Sequence, residues 1–67
     1  MQITFNGEAR DVPEGLSVAD LLRHLGLPAE RLAVERNLAL VPQREWESTR
    51  VGAGDRFEVV HFVGGGL

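Results

Sequence analysis

The stretch Arg56-Phe57-Glu58-Val59-Val60-His61-Phe62-Val63-Gly64-Gly65-Gly66-Leu67 decides how the chain is read. Residues 56–62 alternate as a strand does, with Phe57, Val59 and His61 on one face and Glu58, Val60 and Phe62 on the other. Three glycines follow. Glycine loses the most conformational entropy on ordering, so Gly64, Gly65 and Gly66 favour neither a helix nor a packed strand. Two readings are open. The glycines are a frayed end, where disorder usually concentrates, or a thin tail that a partner threads into a narrow channel to act on its terminus. The strand carries an anomaly of its own. A small sheet covered by one helix has one dry face, and the other face should turn polar. Val60 and Phe62 stand on that second face. Either the short segment around Trp46 buries them, or their exposure is isolated and without consequence, or they form an exposed apolar patch of the kind that marks a docking surface.

The rest of the chain supplies partners for this strand. Residues 2–5 alternate, with Ile3 and Phe5 on one face. Asn6-Gly7 is a strong hairpin signal, because both residues accept the positive φ of a type I′ turn. A two-residue loop sets the return strand, 8–12, with Phe5 opposite Glu8, Ile3 opposite Arg10 and Met1 opposite Val12. Arg10 then falls on the apolar side, its stem expected over the core edge and its head in water. Ser17 reads as a helix N-cap, with Asp20 three residues on as its capping-box partner. Leu16 and Leu21 fit a hydrophobic staple, and Val18, Leu21, Leu22 and Leu25 recur at helical spacing. Gly26 is the expected C′ residue, and Pro28 blocks continuation. His24 lies off the apolar stripe and is expected to be exposed. Residues 32–36 predict a strand, Asn37 a turn, and 38–41 a short apolar strand stopped by Pro42. Residues 43–47 predict one helical turn that folds Trp46 back onto the sheet. Gly52, Gly54 and Asp55 turn the loop 48–55.

Composition narrows the function. A chain of 67 residues is one domain; at this size roughly 60% of the unfolded surface is buried on folding. Hydrophobic content of 43% and charged content of 25% fit a soluble globular domain. No run approaches the ~20 apolar residues of a membrane span. The start, Met1-Gln2-Ile3-Thr4-Phe5, lacks the basic region of a signal peptide, so a cytoplasmic protein with no membrane partner is expected. There is no cysteine, hence no disulfide, thiolate nucleophile or Cys-type metal site. The formal charge is −3 and the seven basic residues, all arginine, are scattered. Nucleic acid is not an expected partner, since backbone binding needs clustered positive charge. Without lysine, no side chain offers an ε-amine for isopeptide or Schiff-base chemistry. His24 and His61 lie on separate elements, and no metal site is expected. No serine sits on a nucleophile elbow. The glycine run is no phosphate loop, because such a loop precedes a helix. With no catalytic residue in view, the chain is expected to enter catalysis as a substrate or carrier.

The order strand, Asn-Gly turn, strand, helix, strand, short strand, turn, strand is that of an α+β, β-grasp (ubiquitin-like) domain: a mixed four- to five-stranded sheet with one main helix and a short helical turn. Val34-Glu35-Arg36-Asn37, Val41-Pro42 with Trp46, Gly54-Asp55, and Val59-Val60-His61-Phe62-Val63-Gly64-Gly65-Gly66 together resemble the ThiS family, the sulfur carrier proteins of thiamine biosynthesis, over essentially the whole chain. The resemblance implies that the first and last strands lie parallel at the sheet centre, with residues 1–63 as the domain and 64–67 as a flexible tail. It implies that Gly66 is the attachment point: an adenylyltransferase of the ubiquitin-activating type adenylates its carboxylate with ATP, and persulfide sulfur from a donor enzyme displaces AMP. The thiocarboxylate so formed supplies a thiazole synthase. The chain itself would bind no cofactor. Val60, Phe62 and Val63 would dock the partner, and Gly64, Gly65 and Gly66 would enter its channel. Five extended residues reach at most about 17 Å. Carriers for molybdopterin or tRNA thiolation would use the same tail chemistry, and a binding-only β-grasp module would not use the tail at all. The family ends at glycine, whereas Leu67 follows Gly66 here. Leu67 is then an appended residue or one removed before activation.

Overall fold

The N-terminal hairpin forms as its turn residues dictate. β1 (Gln2–Phe5) and β2 (Glu8–Asp11) pair antiparallel, with Phe5 opposite Glu8 and Ile3 opposite Arg10. Asn6 and Gly7 take φ values of 49° and 83°, the two left-handed residues that a type I′ turn requires. Pairing closes one residue beyond the strands: the Val12 N–H donates to the Met1 carbonyl at 2.8 Å, and the Met1 ammonium returns a bond to the Val12 carbonyl at 2.7 Å. The Arg10 guanidinium carbon stands 6.0 Å from the Phe5 ring centre, and its side chain remains 46% exposed. Its stem and head divide as expected. This computed structural model describes residues 1–62. Val63, Gly64, Gly65, Gly66 and Leu67 lie outside them, and with them the expected boundary between domain and tail.

α1 (Val18–His24) is defined at both ends by its own sequence. The Ser17 hydroxyl accepts from the Asp20 N–H at 3.0 Å, and the Asp20 carboxylate accepts from the Ser17 N–H at 3.1 Å. The Ser17 N–H, and after it Arg23, hold the Asp20 carboxyl below its ordinary pKa. At the other end Gly26 takes φ 74°. Its N–H donates to the Arg23 carbonyl at 3.0 Å, and the Leu27 N–H donates to the Leu22 carbonyl at 2.9 Å. This is the paired closure of a Schellman motif. The stripe Val18, Leu21 and Leu22 is buried, Leu25 is partly buried, and His24 is exposed.

β3 (Leu32–Arg36), β4 (Ala39–Leu40) and β5 (Arg56–His61) complete a mixed five-stranded sheet in the order β2-β1-β5-β3-β4. β5 lies in the middle, parallel to β1 and antiparallel to β3. The helix stripe meets Ile3, Phe5, Val34, Phe57 and Val59 in one apolar core. Phe57, Leu21, Val18 and Val34 are fully enclosed.

One expectation is corrected. Residues 38–41 do not form a strand throughout. Asn37 and Leu38 take φ values of 52° and 72° and make a second tight hairpin turn, leaving β4 with Ala39 and Leu40 alone. Positive φ is unfavourable for a bulky residue. Tertiary bonds hold the turn: Asn37 Nδ2 donates to Asp55 Oδ1 at 3.2 Å, and Asn37 Oδ1 accepts from the Arg56 N–H at 2.9 Å. Trp46 folds back into the core as expected. A 3-10 turn (Gln43–Glu45) carries it into the core, where its Nε1–H donates to the Val41 carbonyl at 2.9 Å and its own carbonyl accepts from the Ala19 N–H. Trp46 is thus buried on the helix side and does not cover Val60, which is 61% exposed.

Candidate functional site

The site suggested by the sequence is the exit of β5. Antiparallel pairing with β3 places Leu32 opposite His61, Ala33 opposite Val60 and Val34 opposite Val59. Beyond the strand, the Phe62 N–H donates to the Arg31 carbonyl at 2.9 Å. On the other flank β1 pairs only through Thr4 and Phe5. Asn6 continues this edge with its side chain. Its Oδ1 accepts from the Val59 N–H at 2.7 Å and its Nδ2 donates to the Val59 carbonyl at 3.1 Å. A primary amide has one donor face and one acceptor face, as a peptide group does. Asn6 therefore stands in for one more strand residue. The central strand is held on both sides until four residues before Val63.

The two faces of β5 differ sharply. Phe57 and Val59 are buried in the core. On the open face Val60 is 61% exposed and Phe62 is half-buried. Cross-strand pairing puts Ala33 and Glu35 beside Val60 and Glu58, and Leu40, 65% exposed, beside Glu35. The patch is apolar at Val60 and Leu40 and acidic between them, and it is continuous with the strand that leads to the glycines. Of the docking residues expected from the sequence, Val60 is available, Phe62 is available in part, and Val63 lies outside the described residues. Gly64, Gly65 and Gly66 do as well.

Sequence reasoning missed three contributors. Asn6 was legible as a turn residue but not as a brace for β5. Leu40 was assigned to a strand without its exposure. Asp55 was read as a turn residue, yet it is a buried polar hub. Its Oδ2 accepts from the Gly52 N–H at 2.7 Å and from Arg36 Nε at 2.8 Å, while Oδ1 takes the Asn37 amide. Burial pushes its carboxyl pKa up; the Gly52, Arg36 and Asn37 bonds outweigh this, so the net shift is downward. The signal for Asp55 was its joint presence with Arg36 and Asn37 in the motif pieces, not any local pattern. On the helix side, a cleft of about 280 Å³ lies beside Ala19, Leu22, Arg23 and Trp46, bridged by an Arg23–Glu47 ion pair at 2.8 Å.

A family profile described as the ThiS family matches residues 3–66, from β1 through the last glycine. The chain belongs to the ThiS family. Among its relatives is the sulfur carrier protein ThiS of Escherichia coli, 32% identical over 66 residues, a match covering 98% of this chain and all of that one. A thiazole synthase of Paramagnetospirillum magneticum is 41% identical over 66 residues, covering 98% of this chain and 20% of that protein. This ThiS-family chain therefore spans about a fifth of the thiazole synthases it matches. The crystal structure of the thiamine biosynthesis protein ThiS from Geobacter metallireducens superposes with a TM-score of 0.88 at 36% identity, covering 98% of this chain and 100% of that one. The expected β-grasp architecture is thus the family's own, with five strands. Among the described residues no helix is long and apolar enough to cross a membrane.

Proposed function

We propose that this ThiS-family chain is a sulfur carrier of thiamine biosynthesis, acted on by partner enzymes rather than catalytic itself. The observation that carries the reading is the family match running through Gly66, on a chain whose central strand is followed in sequence by the glycines. A carboxylate is a poor electrophile. An activating enzyme converts the Gly66 carboxylate to an acyl-adenylate with ATP, releasing pyrophosphate. The terminal sulfur of a donor enzyme's persulfide attacks the acyl carbon and AMP leaves. A thiol then attacks the donor-side sulfur of the resulting acyl disulfide, becoming a disulfide with the donor and releasing the thiocarboxylate. Glycine suits the step because the absence of Cβ lets backbone approach a nucleotide closely. A thiazole synthase is the proposed acceptor; likeness to proteins of that name supports it.

Incubation with a ThiS-activating enzyme, ATP and a persulfide source is expected to exchange OH for SH at the terminus of a chain ending at Gly66. A chain ending at Leu67 is expected to stay unconverted, because its side chain enters a site shaped for glycine. Conversion of neither form refutes the carrier reading; equal conversion of both refutes the role assigned to Gly66.

Val60 is proposed as a docking anchor. Val60→Asp places charge on an exposed position, so the melting temperature is expected to hold near the wild-type value. Affinity for the activating enzyme is expected to fall by about 2 kcal/mol, the effect of losing one anchor. Calorimetric titration reads it, and unchanged affinity removes Val60 from the interface.

A further inference from the structure

We infer that Asn6 is a site of spontaneous deamidation, and that the change unlatches the C-terminal half of β5. Three observations converge. Asparagine is a thermally labile residue, and Asn6 is followed by Gly7, whose missing Cβ leaves the next peptide nitrogen unhindered. The space beside Gly7 is open, with no atom within 4 Å of where a Cβ would stand. The Asn6 amide also uses both its ends on one residue of another strand, accepting from the Val59 N–H and donating to the Val59 carbonyl.

The chemistry balances without any co-reactant but water. The Gly7 nitrogen attacks Cγ of Asn6, the N–Cγ bond forms and the Cγ–Nδ2 bond breaks. Ammonia leaves, carrying the Gly7 amide proton. Water then opens the succinimide at either carbonyl, giving aspartate or isoaspartate. The attack needs the amide free to rotate onto the Gly7 nitrogen, so it proceeds from states in which the bonds to Val59 are open. The folded clamp slows the reaction.

The product cannot restore the clamp. A carboxylate is acceptor-only. One oxygen can still take the Val59 N–H, but the other then faces the Val59 carbonyl where a donor stood. Isoaspartate adds a methylene to the backbone inside a two-residue turn and shifts the register as well. Asn37 is the built-in comparison: it too sits in a tight turn with a bonded amide, but bulky Leu38 follows it.

Storage of the protein in mildly alkaline buffer, followed by peptide mapping by mass spectrometry, tests the site. Replacement of NH by O is expected at Asn6 ahead of Asn37, more slowly in the folded protein than in denaturant. Hydrogen exchange then tests the consequence. In the converted fraction, and in Asn6→Asp, the Val59 amide is expected to exchange about tenfold faster, the equivalent of one net hydrogen bond. The Val34 amide is the reference. Conversion of Asn6 no faster than Asn37 overturns the site, and wild-type exchange at Val59 in the converted protein overturns the unlatching. Should Asn6→Asp fail to fold, the partly converted wild-type sample carries the second measurement alone.

Discussion

Phe57→Ala is expected to remove about 3–5 kcal/mol of folding stability, the largest loss of any single truncation in the sheet. Phe57 is fully buried in the central strand, opposite Phe5 on one side and Arg36 on the other. Truncating a buried phenylalanine costs about 3–5 kcal/mol through lost burial and the cavity left behind. A domain of this size has a total stability of roughly 3–10 kcal/mol. The loss therefore takes a large share or all of it. Phe57→Leu keeps most of the volume and is expected to cost about 1 kcal/mol. Urea unfolding followed by circular dichroism reads both. A loss under 1 kcal/mol for Phe57→Ala would mean that β5 does not carry the core. The contrast with Val60→Asp is instructive: the two residues are three positions apart on one strand, yet only one of them is a stability residue.

Asp55→Asn is expected to cost about 2 kcal/mol, in the range for hydrogen bonds to a charged group. The carboxylate takes three donors, from Gly52, Arg36 and Asn37. An amide at that position turns one of its two ends into a donor that meets another donor, and Arg36 loses its counter-charge. The substitution also changes the acid limb of stability. The folded Asp55 pKa lies below the ordinary aspartate value of 3.8. Its contribution is therefore fully present above that unfolded value and is lost as pH falls through the lower, folded value. Wild-type stability is expected to drop in that acid window, and Asp55→Asn is expected to lack this part of the slope. Parallel slopes for the two proteins below pH about 4 would remove Asp55 as a contributor.

Elements whose signals are local were readable from the residues alone. The Asn6-Gly7 turn, the Ser17–Asp20 box and the Gly26 C′ residue each act within a few positions of themselves. What failed was what depends on distant partners. Leu38 looked like strand because Leu38, Leu40 and Val41 form an apolar run. The structure turns there because Asp55 and Arg56 capture Asn37 from 18 and 19 residues away. The brace from Asn6 to Val59 spans 53 residues and leaves no trace in any periodicity. Whether Val60 was covered depended on which side Trp46 would take. Its Nε1–H donates to the Val41 carbonyl and its own carbonyl accepts from the Ala19 N–H of the helix, which holds the residue on the helix side. The site was legible in kind, as an apolar strand end leading to glycines, while its acidic and leucine surroundings required the pairing of β3 with β4 and β5.

The position of β5 between a parallel and an antiparallel neighbour has a mechanical side. A tug on its C-terminal end runs along both ladders and loads them in shear, unlike a hairpin peeled from an edge one bond at a time. On the proposed carrier role, an enzyme drawing the glycines through an aperture would seat the body against the rim like a stopper on a cord rather than unravel it.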